Sequence, residues 1–316
     1  MNFSRRQQFS STATIGLAFL VMLTLFLIGC DQQEQTTPVQ QSKNNPQKLT
    51  IGLIPEQDIF TQKKRYEPLL AQLSKEIGVP IDIRILPRYG NIIDNFNELG
   101  LDGAFFGSFT GAMAIKKLGV EPLVRPQYIG GSSTYYGMVF VRKGSGIRTA
   151  EDMRNKQMVF VDRATTAGYL LPLSYFRSLG IDDYKTWFKE YYFSGTHEDA
   201  INDVLNGLAD IGAAKNTVFY RMAAANNRVS KELEILATSP HVPANSLAVR
   251  SDLPDDLKQS LQKQLLEMHQ STEGKAILGD LKIEKFVETT VDDYQPVLDY
   301  AAEIGLDLQT YNYLNN

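Results

Sequence analysis

The chain has 316 residues, 43% of them hydrophobic, and a formal net charge of −4 from 32 basic and 36 acidic side chains. This acidic balance argues against proteins that bind nucleic acid or an anionic membrane surface, because both need positive charge opposite phosphate groups. The single cysteine excludes a disulfide framework and a cysteine-based metal site.

The first 30 residues have the organisation of a secretory signal. Arg5 and Arg6 precede an apolar run over 15–28, and the chain continues as Leu27-Ile28-Gly29-Cys30. This end of the run resembles the lipobox of bacterial lipoproteins, in which the cysteine is acylated and becomes the mature N-terminus. We therefore expect a signal peptide over 1–29 and lipidation of Cys30.

The apolar run has one alternative interpretation, a transmembrane anchor with an incidental cysteine. The run is shorter than the ~20 residues that span a bilayer, so we favour the lipid anchor. Asp31 resembles the signal that keeps such lipoproteins on the periplasmic face of the inner membrane, or on the outer face in a cell with one membrane. Residues 30–48 are rich in Gln, Asn, Thr and Pro, which is typical of a solvated tether.

From residue 49 onward, apolar segments of strand and helix length alternate. We expect strand 49–54, a helix around 66–77, strand 81–86, helix 92–99, strand 102–106, helix 112–118 and strand 135–142. A glycine-rich junction at 143–146 precedes a second series. That series has strands 158–161, 190–193 and 210–213, and helices 168–179, 198–208 and 217–225.

The remaining residues read as helical, over 257–268, 273–278 and 294–304, after a return crossing at 239–243. The predicted fold class is α/β with two lobes, each a mostly parallel sheet flanked by helices. The first lobe comprises 49–143 and about 244–316, and the second comprises about 144–243. Two crossings between the lobes predict a hinge and a ligand cleft at the carboxyl ends of the strands.

Hydroxyl side chains follow one strand of the second lobe. The sequence Thr165-Thr166-Ala167-Gly168 lies between a strand and a helix, where hydroxyl groups and free backbone N–H groups can surround a tetrahedral oxyanion. The alternative is an ordinary helix N-cap, which needs only one hydroxyl. In the first lobe, residues 106–111 also place small and hydroxyl residues, among them Ser108, between a strand and a helix. We therefore expect the starts of two helices, one from each lobe, to face the same anion.

A third turn from strand to helix contains a histidine. We interpret Thr196 as the N-cap of its helix, with Asp199 at the third position, and His197 as a possible N–H donor to an oxyanion. The other two histidines, His241 and His269, lie in unrelated segments, so we expect no metal site.

These motifs, in this order, resemble the phosphate, phosphite and phosphonate substrate-binding proteins of ABC transporters, over nearly all of 49–305. The segments that carry the resemblance are Ile51-Gly52-Leu53-Ile54-Pro55, Tyr66-Glu67-Pro68-Leu69, Arg88-Tyr89-Gly90-Asn91-Ile92-Ile93, Asp102-Gly103-Ala104-Phe105-Phe106-Gly107, Tyr135-Tyr136, Thr165-Thr166-Ala167-Gly168-Tyr169-Leu170-Leu171-Pro172, Gly195-Thr196-His197-Glu198, Gly207-Leu208-Ala209-Asp210 and Ser239-Pro240-His241-Val242-Pro243. The resemblance implies the type II periplasmic-binding fold.

The resemblance also implies site residues. In the family the phosphoryl oxygens are bound by a hydroxyl run, a histidine and tyrosines, which correspond to Thr165, Thr166, His197, Tyr89 and Tyr135. Without the family pattern, either tyrosine would more simply pack with its hydroxyl at the surface.

The chain departs from the family pattern at several positions. Ala167 replaces the third hydroxyl residue, so only its backbone N–H is available. Val218 and Asn245 stand where members that bind aminoalkylphosphonates carry acids, so a compact ligand is favoured over a cationic one. Lys215, Asn216 and Asn245 are expected near the ligand's substituent, with a solvated helix-start lysine as the alternative for Lys215.

The leading hypothesis is a lipid-tethered receptor that captures a small phosphorus oxyanion by lobe closure and delivers it to an ABC permease. One alternative is a sensor that presents the oxyanion to a membrane signalling kinase. Another is a phosphoester hydrolase, disfavoured because no nucleophile-elbow, zincin or two-metal motif is present. We expect a monomer that has no cofactor and does not bind nucleic acid.

Overall fold

The computed structural model describes residues 47–315. The expected signal peptide, Cys30 and the tether up to residue 46 lie outside these residues. No helix in the described part of the chain is long and apolar enough to cross a membrane.

The first lobe is built on a sheet that contains six strands within 47–315, in the order β13-β4-β12-β3-β1-β2. Strand β1 pairs in parallel with β2 and β3, whereas β12 is antiparallel to β3 and β13 is antiparallel to β4. The bounds are β1 Leu49–Leu53, β2 Ile81–Ile85, β3 Gly103–Phe106, β4 Glu121–Tyr128, β12 Ser246–Val249 and β13 Ile283–Glu288.

Helices cover both faces of this sheet. The face that contains Leu49, Ile51 and Leu53 packs against α1, α10 and α11, and the opposite face packs against α2, α3 and α12. Helix α1 buries Leu69, Leu70 and Leu73, as the apolar spacing predicts. The bounds are α1 Ile59–Ile77, α2 Asn91–Glu98, α3 Ser108–Leu118, α10 Asp255–Glu267, α11 Thr272–Leu281 and α12 Gln295–Glu303.

The second lobe has a sheet with five strands among the described residues, in the order β10-β6-β9-β7-β8. The strands are β6 Gly137–Arg142, β7 Gln157–Phe160, β8 Glu190–Phe193, β9 Ile211–Lys215 and β10 Leu233–Thr238. The helices are α4 Ala150–Met153, α5 Leu171–Ser178, α6 Tyr184–Trp187, α7 His197–Leu205, α8 Asn216–Ala225 and α9 Asn227–Glu232, and a π-helical turn spans Thr166–Leu170.

The chain crosses between the two sheets at 129–136 and at 239–245. The two crossings pair with each other through the short strands β5 Thr134–Tyr135 and β11 Val242–Pro243. Strand β6 belongs to the second sheet, so the first crossing precedes residue 137 rather than following residue 143 as expected.

Two further details differ from the sequence prediction. Each sheet is mixed rather than mostly parallel, because the strands that follow a crossing run antiparallel to their neighbours. The last 70 residues are not all helical, since β12 and β13 lie among them. Strand β13 buries Ile283 and Phe286, three positions apart, and β12 is a four-residue strand buried along its length.

Candidate functional site

A small cavity lies between the lobes, at the carboxyl ends of strands from both sheets. It has a volume of about 10 Å³, which is room for about one water molecule. Its lining comes from both lobes and comprises Ile54, Glu56, Tyr89, Gly107, Thr110, Tyr135, Ala164, Thr165, Thr166, His197, Lys215 and Asn245. Seven of the ten predicted ligand contacts line this cavity, namely Tyr89, Tyr135, Thr165, Thr166, His197, Lys215 and Asn245. A polar cavity at this position is where an open α/β sheet binds ligands.

Thr165 and Thr166 are both buried, and neither side chain caps the helical turn that follows. The Thr165 hydroxyl donates to the Asp162 carbonyl at 2.6 Å, so its proton is already used. The Thr166 hydroxyl instead accepts from the backbone N–H of Phe109 in the first lobe at 2.8 Å, which leaves its proton free. The N-cap alternative therefore fails, and Thr166 is the better donor of the two.

The loop that carries the threonines is held tightly. A Cβ atom at Gly168 would lie 2.4 Å from the Cβ of Val161, so only glycine fits where this turn crosses the end of the strand. Asp162 accepts from the Ala164 N–H and from the Asn315 amide, both at 2.8 Å. Burial raises the pKa of the Asp162 carboxyl to about 6. These contacts set the position of Thr165 and Thr166 at the cavity.

His197 is the first residue of α7, and Thr196 is the N-cap that the sequence predicts. Its Nδ1 accepts a 3.3 Å hydrogen bond from the Lys215 backbone N–H. Burial lowers the pKa of the imidazole to about 3, so the ring is neutral at physiological pH. Because Nδ1 accepts, the proton is on Nε2, and the ring is a hydrogen-bond donor there.

Tyr89 packs at the edge of the His197 ring, with the ring centroids 5.9 Å apart. Its side chain is only 2% exposed, and its hydroxyl is a buried polar group with no hydrogen-bond partner among the described residues. Burial raises the pKa of this phenol well above its ordinary value, so the hydroxyl keeps its proton. A protonated, unpartnered hydroxyl in a polar cavity requires an explanation, and a bound acceptor supplies one.

Lys215 lies at the end of β9 and is 2% exposed, which rules out the solvated alternative. Its Nζ donates to Glu56 Oε1 at 2.7 Å and to Asn245 Oδ1 at 2.9 Å. It also lies 4.4 Å from the centroid of the Tyr135 ring, in a cation–π contact. Lys215 is thus a buried cation in the wall of the cavity.

Glu56 is the site residue that the sequence interpretation missed. Burial by itself would raise the pKa of its carboxyl, but the charge and hydrogen bond of Lys215 outweigh burial and lower the pKa to about 2. The Asn245 amide also donates to Glu56 Oε1, at 3.0 Å. Its position could have indicated a role in the site, because Glu56 lies three residues after β1, at the carboxyl end of a strand inside the sheet.

Three of the predicted contacts, and Val218, lie elsewhere. Ser108 donates to the Pro243 carbonyl at 2.5 Å and contacts the Tyr135 hydroxyl at 3.0 Å, so it braces a cavity residue without lining the cavity. Ala167 is buried in the turn behind the lining. The Asn216 side chain accepts from the Tyr136 N–H and lines a neighbouring, larger cavity. Val218 is fully buried in the core.

No cluster of three or more His, Cys, Asp or Glu side chains suited to a metal ion occurs within 47–315. The cavity instead offers N–H and O–H donors, one buried lysine and its carboxylate partner. Such a donor set can surround a small oxyanion without a metal.

Comparisons with known proteins agree with this chemistry. A family model described as ABC transporter, phosphonate, periplasmic substrate-binding protein matches residues 51–294. The chain is 22% identical over 240 residues to the phosphonates-binding periplasmic protein of Escherichia coli strain K12, covering 74% of this chain and 70% of that protein. It is 23% identical over 277 residues to a probable ABC transporter phosphite binding protein, PhnD1, of Prochlorococcus marinus, covering 84% of this chain and 91% of that protein.

Solved structures show the same fold. A binding protein component of an ABC phosphonate transporter from Pseudomonas aeruginosa superposes with a TM-score of 0.76 at 23% identity, covering 81% of this chain and 86% of that one. PhnD1 of Prochlorococcus marinus in complex with methylphosphonate gives a TM-score of 0.72 at 22% identity, covering 82% and 99%. The predicted two-lobed α/β fold class is confirmed.

Proposed function

Because the chain belongs to the family of periplasmic substrate-binding proteins of phosphonate ABC transporters, we propose that its interlobe cavity captures a small phosphorus oxyanion. The proposed ligand is phosphate, phosphite or an alkylphosphonate. The proposed contacts are Tyr89, Thr166 and His197, with Thr165, Tyr135 and Lys215 completing the wall.

The observation that carries this proposal is the unpartnered hydroxyl of Tyr89. A buried donor left without an acceptor destabilises the ligand-free protein by about 1–3 kcal/mol. The neutral His197 ring lies against it, with its proton on Nε2, and Thr166 has a free hydroxyl proton. An oxyanion in the cavity would accept from these donors, each bond being charge-assisted.

Charge balance indicates that neutral donors hold the phosphoryl group. Lys215 is already paired with Glu56, so the cavity does not present an isolated positive charge to the ligand. In this proposal the negative charge is instead stabilised by neutral donors, and by the partial positive charge at the starts of α3 and α7.

The closed arrangement of the lobes supports capture by closure. The hydrogen bond from the Phe109 N–H to Thr166 joins one lobe to the other at the edge of the cavity. A ligand that contacts Tyr89 in the first lobe and His197 in the second would favour this arrangement over an open one. We propose that the closed surface is what the ABC permease recognises, and that a lipid on Cys30 holds the receptor at the periplasmic face of the membrane.

The experiment is a thermal-shift panel of phosphate, phosphite, methylphosphonate and sulfate on the purified protein without its signal peptide. A ligand that binds only the folded state raises the melting temperature by mass action. We expect shifts with at least one phosphorus oxyanion and a smaller shift with sulfate. No shift with any phosphorus oxyanion, followed by no heat in calorimetry, would reject the proposed function.

A further inference from the structure

A second, larger cavity adjoins the small one. It has a volume of about 670 Å³ and shares Glu56 and Asn245 with the small cavity, so these two side chains form the common wall. We call it the outer chamber, and define it by Arg65, Tyr66, Tyr128, Tyr220, Arg221 and Lys282. Both lobes contribute, because Arg65 and Tyr66 lie on α1, whereas Tyr220 and Arg221 lie on α8.

The charges of the outer chamber are mostly positive. Its lining includes three cationic side chains, Arg65, Arg221 and Lys282, and one carboxylate, Glu56. Glu56 is paired with Lys215 at 2.7 Å, and its carboxylate also interacts with Arg221 through space without a direct hydrogen bond. The outer chamber therefore has an excess of positive charge in a chain whose net charge is −4.

The two arginines are weakly partnered. Arg65 makes long hydrogen bonds to Gln57 Oε1 at 3.3 Å and to the Leu281 carbonyl at 3.4 Å. Arg221 has no hydrogen bond or ion pair with any residue in the described range, although its side chain is half-buried. Burial lowers the pKa of Arg221 from its ordinary value. Glu56 and Glu198 act on Arg221 only through space. A guanidinium that is partly desolvated and has no anion hydrogen-bonded to it is suited to binding one.

The rest of the lining is suited to an organic spacer. Tyr66, Tyr128 and Tyr220 supply aromatic faces, and Ala224, Ala225 and Ile129 supply apolar surface. A substituent that leaves the small cavity beside Glu56 and Asn245 would run along these rings before it reached Arg65 and Arg221. An ammonium group on the substituent would meet three cations and a carboxylate that is already paired.

We propose that the outer chamber binds the distal, negatively charged group of a phosphonate whose phosphoryl end occupies the small cavity. The inference rests on the proposed function and narrows its substrate class to phosphonates that carry a second acidic group, such as ω-carboxyalkylphosphonates. Arg221 and Arg65 are the residues that select for the second negative charge.

The test is a calorimetric comparison of methylphosphonate, propylphosphonate, 2-aminoethylphosphonate, 2-carboxyethylphosphonate and 4-carboxybutylphosphonate. We expect at least one of the two carboxylates to bind about tenfold more tightly than propylphosphonate, and the ammonium compound to bind most weakly. The variants are Arg221→Gln and Arg65→Gln. The matched control is Arg228→Gln, an exposed arginine that pairs with Glu232 on the same lobe.

Arg221→Gln should remove most of the affinity that the carboxylate group adds relative to propylphosphonate. It should leave the affinity for methylphosphonate within about twofold of the wild-type value. Arg228→Gln should change neither affinity. The inference is overturned if methylphosphonate binds but neither carboxylate exceeds propylphosphonate, a result in the wild-type protein that does not depend on any variant folding. It is also overturned if Arg221→Gln weakens both ligands equally. If no phosphonate binds, the thermal-shift panel separates the two cases: binding of phosphate or phosphite overturns this inference alone, whereas no binding of either also rejects the proposed function.

Discussion

The backbone N–H of Phe109, in the first lobe, donates a 2.8 Å hydrogen bond to the Thr166 hydroxyl of the second lobe. This contact joins the start of α3 to the turn that carries the candidate oxyanion donors. It also distinguishes the two neighbouring threonines, because the Thr165 hydroxyl donates within its own loop to Asp162.

Thr166→Val should therefore weaken oxyanion binding more than Thr165→Val does. The first change removes a free hydroxyl donor and leaves the Phe109 N–H without its acceptor, with an expected cost of about 2–3 kcal/mol. The second removes a hydroxyl whose proton is already used, and should cost about 1 kcal/mol or less. Calorimetric titration of each variant measures the difference, and Thr166→Ser is the control that should restore binding. Equal losses for the two valine variants would contradict the assignment.

The buried ion pair of Lys215 and Glu56 makes a prediction about stability. Lys215→Met leaves a buried carboxylate, and Glu56→Gln leaves a buried ammonium, so each change should destabilise the fold by about 3–5 kcal/mol. The double variant should be less destabilised than the two single changes added together, because neither charge remains unpaired.

Urea denaturation of the four proteins in this double-mutant cycle measures that coupling. The exposed pair of Arg228 and Glu232 is the matched control, with an expected coupling of less than about 1 kcal/mol. If the coupling of Lys215 and Glu56 were as small as that of the control, the pair would not be buried as described.

His197 predicts a pH dependence of folding stability. Its folded pKa is about 3, below the ordinary value near 6.5, because burial disfavours the charged ring. Its contribution to stability is therefore fully present above about pH 6.5 and is lost as the pH falls toward 3, where the unfolded state binds the proton first. In His197→Gln this component should vanish, which gives a shallower loss of stability between pH 6.5 and 4 in denaturant titrations. An unchanged slope would show that the ring is not buried in its neutral form.

Cys30 predicts the mode of membrane association. If the thiol is acylated as proposed, Cys30→Ser should release the protein into the periplasmic or extracellular fraction, because the chain loses the buried methylenes of the lipid. Cell fractionation followed by immunoblotting measures this, and a cleavage-competent Asp31→Asn variant serves as the processing control. Continued membrane retention of the serine variant would indicate an uncleaved apolar anchor.

Much of the lining of the site is predictable from the sequence. Thr165, Thr166 and His197 each follow a strand and open a helix, and chain topology brings such turns to one edge. Tyr89 and Tyr135 could be predicted as site residues only from the family resemblance, because tyrosines elsewhere in the chain occupy similar local contexts.

The rest depends on tertiary contacts that local patterns do not reveal. Lys215 is buried because Glu56, 159 residues earlier in the chain, lies beside it, and neither residue alone indicates the pair. The sequence predicts the first crossing at Gly144 and Gly146, whereas the observed crossing at 129–136 contains Gly130 and Gly131, which also have positive φ. Strand β12 has only four residues, too few for a periodic signal.

The unpartnered hydroxyl of Tyr89 is the basis of the account, and one measurement tests it most directly. Titrate wild type and Tyr89→Phe with methylphosphonate and phosphate by calorimetry, and follow the thermal unfolding of both ligand-free proteins. The control is Tyr175→Phe, whose side chain lines a separate groove away from the cavity. We predict that Tyr89→Phe weakens binding by about 1.5–3 kcal/mol while the ligand-free protein unfolds at the same or a higher temperature, because the lost hydroxyl had no partner. Unchanged affinity, or a ligand-free protein that is clearly destabilised, would show that the hydroxyl bonds within the protein and does not contact a ligand.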